Sequence, residues 1–145
     1  MENKRLYTLL ALAGTSPFVA CALLPLIGID SLPGFGALDV LASTYGLAII
    51  CFLAGAHWGT YLLSQSATPF NLFVSSNVVF LAVWFAFIGA NLAWSIAVQI
   101  IAFQILLFID FRLNQDAIIS AAYLRIRLIA TLIATVSLLV ILLFR

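Results

Sequence analysis

Five apolar runs alternate with short polar breaks along this chain. They cover Leu6 to Ile29, Val40 to Leu63, Phe70 to Ile88, Asn91 to Phe111 and about Ser120 to Phe144. A hydrocarbon core roughly 30 Å thick takes about 20 helical residues to cross, so each run predicts a membrane-spanning helix. The breaks carry their own chemistry. Asp30 to Asp39 contains Pro33, Gly34 and Gly36, which end one helix and turn the chain, and Asp39 is placed to cap the next. Thr68 and Pro69 suit the cap and first position of the third span. Gly89 and Asn91 leave a very short turn, so spans three and four are predicted to be antiparallel neighbours. Arg112 to Ile119 is the longest polar stretch. Span one has Gly14, Thr15, Ser16 and Pro17 near its middle, which predicts a kink or a break there.

Composition removes the soluble alternatives. Hydrophobic residues make up 66% of the 145 and charged residues 8%, with a mean hydropathy of +1.25. A soluble domain of this size could not hide so much apolar surface from water. The expectation is an all-α, polytopic membrane helix bundle, one domain over residues 1–145. A formal charge of +1 offers no basic face for nucleic acid. MENKR followed by an apolar run resembles a signal peptide, but the run continues to Ile29 and is read as a retained first span.

The basic residues set the expected orientation. With five spans, Lys4, Arg5, Arg112, Arg125 and Arg127 fall on one side and Arg145 on the other. The positive-inside rule then puts the N-terminus in the cytoplasm and the C-terminus outside. The expected location is the inner (cytoplasmic) membrane of a bacterium, or the mitochondrial inner membrane in a eukaryote.

Polar groups within a bilayer are costly, so their positions point to function. At 100° per residue Thr60, Tyr61 and Ser64 share a face with the single histidine, His57, while Cys51, Gly55 and Gly59 form a small-residue ridge on the opposite face, expected to receive a neighbouring helix. Ser75, Ser76 and Asn77 occupy the cytoplasmic half of span three and Gln104 and Asp110 that of span four, with Gln99 in line with Asp110, and Tyr123, Arg125 and Arg127 open span five. The outer halves of spans three to five are nearly all aliphatic or aromatic, so the polar content is expected to concentrate toward the cytoplasm. His57 has two readings, a hydrogen bond to a neighbouring helix worth about 0.6 kcal/mol and a working ligand site. Asp110 and Arg125 are expected to form an ion pair or part of that site, with Arg127 reaching out to lipid phosphates. Trp94 is placed as an interfacial anchor.

Several chemistries have no parts here. HExxH, GxSxG, P-loop and dinucleotide glycine patterns do not occur. Cys21 and Cys51 lack metal-knuckle spacing and read as small buried hydrophobes. The only lysine, Lys4, lies outside the spans and cannot carry a retinal Schiff base. No metal or cofactor is expected.

Pro17 and Phe18, the YG…FLAGAHWG run from Tyr45 to Gly59, SSNVVFLAVW from Ser75 to Trp84, Asp110, and YLRIRL from Tyr123 to Leu128 occur together. In these the chain resembles the transmembrane protein 69-like family of small bacterial and mitochondrial membrane proteins, a domain of unknown function. The family pattern often carries proline near positions 79 and 129, where Val79 and Ile129 stand, so the kinks those prolines impose do not carry over. The resemblance implies a compact five-span bundle with His57, Trp58, Asp110 and Arg125 at the marked positions, and it brings no activity.

The functional expectation is a non-enzymatic bundle. Its cluster of His57, Trp58, Tyr61, Asp110, Tyr123 and Arg125 either binds a small or lipid-like ligand or locks the fold of an accessory subunit. The expected partners are membrane lipids and a homo-oligomer or larger membrane complex. The alternative is a small transporter or channel with the same cluster as its inner gate. An intramembrane enzyme would need a nucleophile, a metal or an acid at the depth of His57, and none is expected there.

Overall fold

The computed structural model describes residues 2–64, 68, 70–89 and 91–144, with side chains from residue 6 onward. In order these form α1 (Glu2–Ala13), α2 (Ser16–Leu23), a 3₁₀ turn (Leu24–Ile27), β1 (Ser31–Leu32), β2 (Gly36–Ala37), α3 (Leu38–Leu63), α4 (Leu72–Gly89), α5 (Leu92–Gln115) and α6 (Ala121–Phe144). Five segments are long and apolar enough to cross a membrane: Leu6–Ile27, α3, α4, α5 and α6. The chain is the all-α, five-span bundle its apolar pattern predicts.

Span one is broken, not merely bent. Pro17 has no N–H to give the Ala13 carbonyl, the Gly14 carbonyl is left outside the helical ladder as well, and that of Leu12 keeps a tightened bond from Thr15 N at 2.9 Å. Three hydroxyls bond these carbonyls. Thr15 Oγ1 donates to the Leu12 carbonyl at 2.7 Å, Ser16 Oγ to that of Ala13 at 2.7 Å, and the Tyr45 hydroxyl, from α3, to that of Gly14 at 2.8 Å. A bare carbonyl in hydrocarbon costs several kcal/mol, so the bonds to the Ala13 and Gly14 carbonyls are what make a break tolerable.

The connections correct several details of the expected ends. The Asp30–Asp39 segment forms a two-stranded hairpin pairing Ser31 with Ala37 and Leu32 with Gly36. Its turn places Gly34 at φ +81°, a conformation that requires glycine after Pro33. Asp39 is not the cap of α3: Ala37 holds that position, and Asp39 sits in the first turn with its Oδ1 accepting from Val40 N at 2.8 Å. Thr68 does not cap α4 either. Its hydroxyl donates to the Phe70 carbonyl at 2.6 Å, while Asn71 Oδ1 accepts from Val74 N at 3.2 Å; Pro69 lies outside the described residues. Asn91 does cap α5, its side chain accepting from Trp94 N at 3.0 Å. That helix runs on to Gln115, so the first half of the expected polar loop is helical, and Arg112 in its last turn complements the helix dipole.

α3 and α5 form the centre. α4 packs on both from one side, α2 and α6 close the other, and α1 leans chiefly on α6. The buried face of α5 repeats at spacings of four and three through Ser95, Gln99, Ala102, Leu106, Ile109 and Leu113. Phe18, Ile50, Phe103, Leu106 and Leu138 fill the space between α2, α3, α5 and α6.

The expected packing ridge borders α4, with Cys51 and Gly55 lining a cleft beside Ser76, Asn77 and Phe80, but it receives no helix at close range. A Cβ built on Gly55 or Gly59 meets nothing within 4 Å, and Gly55 is exposed. The glycine that matters for packing is Gly46, where a Cβ would collide with the side-chain carbonyl of Gln99.

Candidate functional site

His57 lies on the face of α3 that carries Gly46, Ile50, Leu53 and Ala54, so it points into the bundle. Asp110 continues the buried face of α5, eleven residues and nearly whole turns beyond Gln99. Arg127 shares the inward face of α6 with Thr131, Ala134 and Leu138. The three side chains meet. His57 Nε2 is 2.9 Å from Asp110 Oδ1, and Arg127 Nε is 2.7 Å from Asp110 Oδ2. Their residues are 3%, 1% and 8% exposed, respectively. A carboxylate paired with arginine can only accept, so His57 Nε2 carries the proton and, in the neutral ring, Nδ1 is an acceptor. Asp110 thus ties α3, α5 and α6 together with one carboxylate. Arg127 and Asp110 cancel in formal charge, which lowers the cost of holding either in the bundle.

This arrangement corrects three expectations. The cation on Asp110 is Arg127, not Arg125; Arg125 is exposed, and Arg127 does not reach for lipid phosphates. An acid does lie at the depth of His57, and it is hydrogen-bonded to it. Trp58 and Tyr61 stand outside the cluster: Trp58 is 44% exposed and packs edge-on to Phe73 at 4.7 Å, while Tyr61 lies against the same ring at 4.3 Å.

A second polar cluster occupies the other half of the bundle, where the sequence predicts almost none. Gln99 Nε2 donates to the Ser43 carbonyl at 2.9 Å and to Ser43 Oγ at 3.0 Å, with Ser95 Oγ 3.1 Å from Ser43 Oγ. All three residues are buried. Between the clusters lie Ile50, Leu53, Phe103 and Leu106, a packed apolar layer. Gln99 to Asp110 is eleven residues of helix, about 16 Å at 1.5 Å per residue.

Tyr123 takes a different part. It lines a cleft of about 430 Å³ between α1, α2, α3 and α6, together with Tyr7, Arg127 and Thr131. The rest of the lining is apolar or small, including Leu10, Phe18, Ile49, Phe52 and Ala130. Phe52 is 73% exposed, so the cleft opens sideways from the bundle. Three of its buried polar atoms, the Tyr7 hydroxyl, Arg127 Nη2 and Thr131 Oγ1, have no hydrogen-bond partner among the described residues. The same is true of His57 Nδ1, whose residue is not part of the lining. Each of the three is sealed from the cleft, although its residue lines it, and buried polar groups are normally paired. Sequence reasoning does not single out Tyr7 and Thr131 as site residues. The available signal is spacing: Tyr123, Arg127 and Thr131 recur every four residues on one face of α6.

Among the described residues no group of three or more His, Cys, Asp or Glu side chains could hold a metal ion. No curated protein and no solved structure matches the chain. One protein-family model does match, described as a protein of unknown function (DUF3429), over residues 3–143, and the chain belongs to that family.

Proposed function

We propose that the protein is a non-enzymatic membrane bundle that holds a small or lipid-like ligand in the cleft between α1, α3 and α6, with the His57–Asp110–Arg127 chain fixing the wall that carries it. The observation behind this reading is the cleft itself, an otherwise apolar space whose lining includes Tyr7, Tyr123, Arg127 and Thr131. A cleft of about 430 Å³ is of the size that takes small organic ligands, and few polar groups on apolar walls is their usual lining. The His57–Asp110 pair resembles two members of a hydrolytic triad, but no hydroxyl or thiol among the described residues bonds His57 Nδ1, so the nucleophile is missing. A channel would need a polar route, and the apolar layer between the two polar clusters favours a holding role over a conducting one. A role as accessory subunit, in a homo-oligomer or larger complex, fits the same geometry.

The finer placements are part of the same proposal. The chain is taken as similar to the transmembrane protein 69-like proteins, seated in a bacterial inner membrane or the mitochondrial inner membrane with its N-terminus inside. Orientation rests on Lys4, Arg5, Arg112 and Arg125, since Arg127 is buried and no longer counts as a flanking charge.

The test is lipid and small-molecule profiling by mass spectrometry of the protein purified in mild detergent. Ala130→Leu narrows the cleft without touching its polar atoms. Wild type is expected to retain molecules that the variant loses, and identical profiles overturn the reading.

A further inference from the structure

Away from the cleft, one polar side chain stands where the bilayer cannot satisfy it. Gln104 lies twelve residues into α5, about 18 Å from Leu92 and about 10 Å short of Phe111, where the apolar run ends. So short a side chain does not reach water from that depth. The residue is nonetheless exposed, on the side of α5 away from the buried Ser95, Gln99 and Asp110. Its Nε2 donates to Thr135 Oγ1 of α6 at 2.8 Å, in a bond that lies at the surface, and among the described residues Gln104 makes no other. One amide N–H and the Oε1 carbonyl are therefore unspent. The exposed side chains of Thr44 and Asn77, by contrast, turn back on the Val40 and Phe73 carbonyls of their own helices.

The surroundings suit a helix, not a headgroup. Ile101, Phe108 and Phe111 continue the Gln104 line at spacings of three and four, and Leu128, Leu132 and Leu139 do the same for Thr135; all six are exposed and none of this face is charged. An apolar seam with a single amide at its middle is how packed helices fix register and partner number. Lipid tails offer that amide no hydrogen bond. An amide carries a donor and an acceptor side by side, so a second amide in reversed orientation matches it. A two-fold axis beside Gln104 supplies one, with the same patch on both chains. We infer that the protein forms a two-fold homodimer in the membrane through its α5–α6 face, the two Gln104 amides hydrogen-bonded to each other at the centre. Leu128, Leu132 and Leu139 lie on a different face of α6 from Arg127 and Ala130, so the dimer leaves the cleft open.

The full chain, with a donor or an acceptor dye at its N-terminus, is reconstituted in phosphatidylcholine vesicles, and energy transfer is followed as the protein-to-lipid ratio rises. Wild type is expected to give saturable transfer that unlabelled wild type competes away. Gln104→Leu should raise the dissociation constant at least about tenfold, as for the loss of two interhelical hydrogen bonds. Its resistance to unfolding by sodium dodecyl sulfate, compared at dilutions where both chains are monomeric, should hold or rise, because leucine suits a lipid-facing position. Thr135→Val removes the bond within the chain but not the amide, and is expected to keep the dimer. No saturable transfer in wild type overturns the inference, and so does transfer that Gln104→Leu leaves unchanged. Loss of transfer in Asn77→Leu but not in Gln104→Leu overturns it too, by moving the contact to the cleft between α3 and α4. Equal loss of transfer and of detergent resistance in Gln104→Leu and Thr135→Val would assign the amide to the monomer's fold and overturn the interface.

Discussion

Removing the Asp110 carboxylate leaves a guanidinium and an imidazole buried with nothing between them. In Asp110→Ala, Arg127 keeps its place at 8% exposure with no anion at Nε, and His57 loses the acceptor at Nε2. Stranding one member of a buried ion pair costs about 3–5 kcal/mol. The lower end applies here, about 3 kcal/mol, because the cleft beside Arg127 can admit water to the freed charge. Arg127→Met strands the carboxylate instead and is expected to cost a similar amount. The double variant Asp110→Ala/Arg127→Met removes both charges, leaving mainly a small void and an unpaired His57 nitrogen. It should therefore be destabilised by at least about 2 kcal/mol less than the sum of the singles, a factor of roughly thirty in the unfolding constant. Reversible unfolding by sodium dodecyl sulfate in mixed micelles, followed by tryptophan fluorescence, measures all three. Arg125→Met is the internal control and should change stability by no more than about 0.5 kcal/mol, as exposed substitutions do. Additivity of the two single costs would refute the pairing. A larger loss in Arg125→Met than in Arg127→Met would hand the role back to Arg125.

Other substitutions separate the remaining contacts. Gly46→Ala drives a Cβ into the Gln99 side chain and should cost about 1–3 kcal/mol in the same unfolding assay, whereas Gly55→Ala, with open space around it, should be neutral or slightly stabilising. Tyr45→Phe leaves the Gly14 carbonyl at the helix break without its donor and should lower stability by about 1 kcal/mol or more; no change would mean the break is satisfied some other way. Alkaline phosphatase fused after the last residue should be active in a bacterial host while a fluorescent protein at the same point stays dark, and the reverse result would invert the proposed orientation.

How much of the fold and site is legible in the sequence differs from helix to helix, for a physical reason. In lipid the outward face of a helix is as apolar as the inward one, so amphipathicity does not choose the buried side. Polar residues choose it, where their register is unambiguous. On α5, Ser95, Gln99 and Asp110 fall in one line, with Gln104 the one polar residue off it before the last turn, and the inward face follows from that line. On α3 the glycines suggest a packing ridge, with a polar stripe on the face opposite them. In the fold Cys51 and Gly55 border an open cleft against Ser76 and Phe80 of α4 without close contact, and His57 continues the buried line of Gly46, Ile50 and Leu53. On α6 two arginines stand two residues apart, about 200° around the helix, and only the small and polar residues below Arg127, at Thr131 and Ala134, distinguish them. The break in span one is legible because proline and glycine act locally. Its satisfaction by Tyr45 is not, because the bond joins residues 31 apart.

That break also explains why a cleft exists in so small a bundle. A straight first helix would keep its second half and first half on one axis against the same neighbours. With the ladder interrupted at Gly14 and Thr15, α2 packs between α3 and α6 while α1 leans chiefly on α6, and the space beside the break is left to the side chains that border it. Gly14 and Thr15 themselves line the cleft, and α1 brings Tyr7 to the same space as Arg127 and Thr131. The hydroxyls of Ser16 and Tyr45 hold the interruption in place by occupying the carbonyls it frees. Asp110 supports the opposite wall, since it holds the Nε of Arg127, a residue of the cleft lining. The polar residues of this chain therefore fall into two sets. One makes a broken helix tolerable in lipid, and the other gives the space that the broken helix encloses its chemistry.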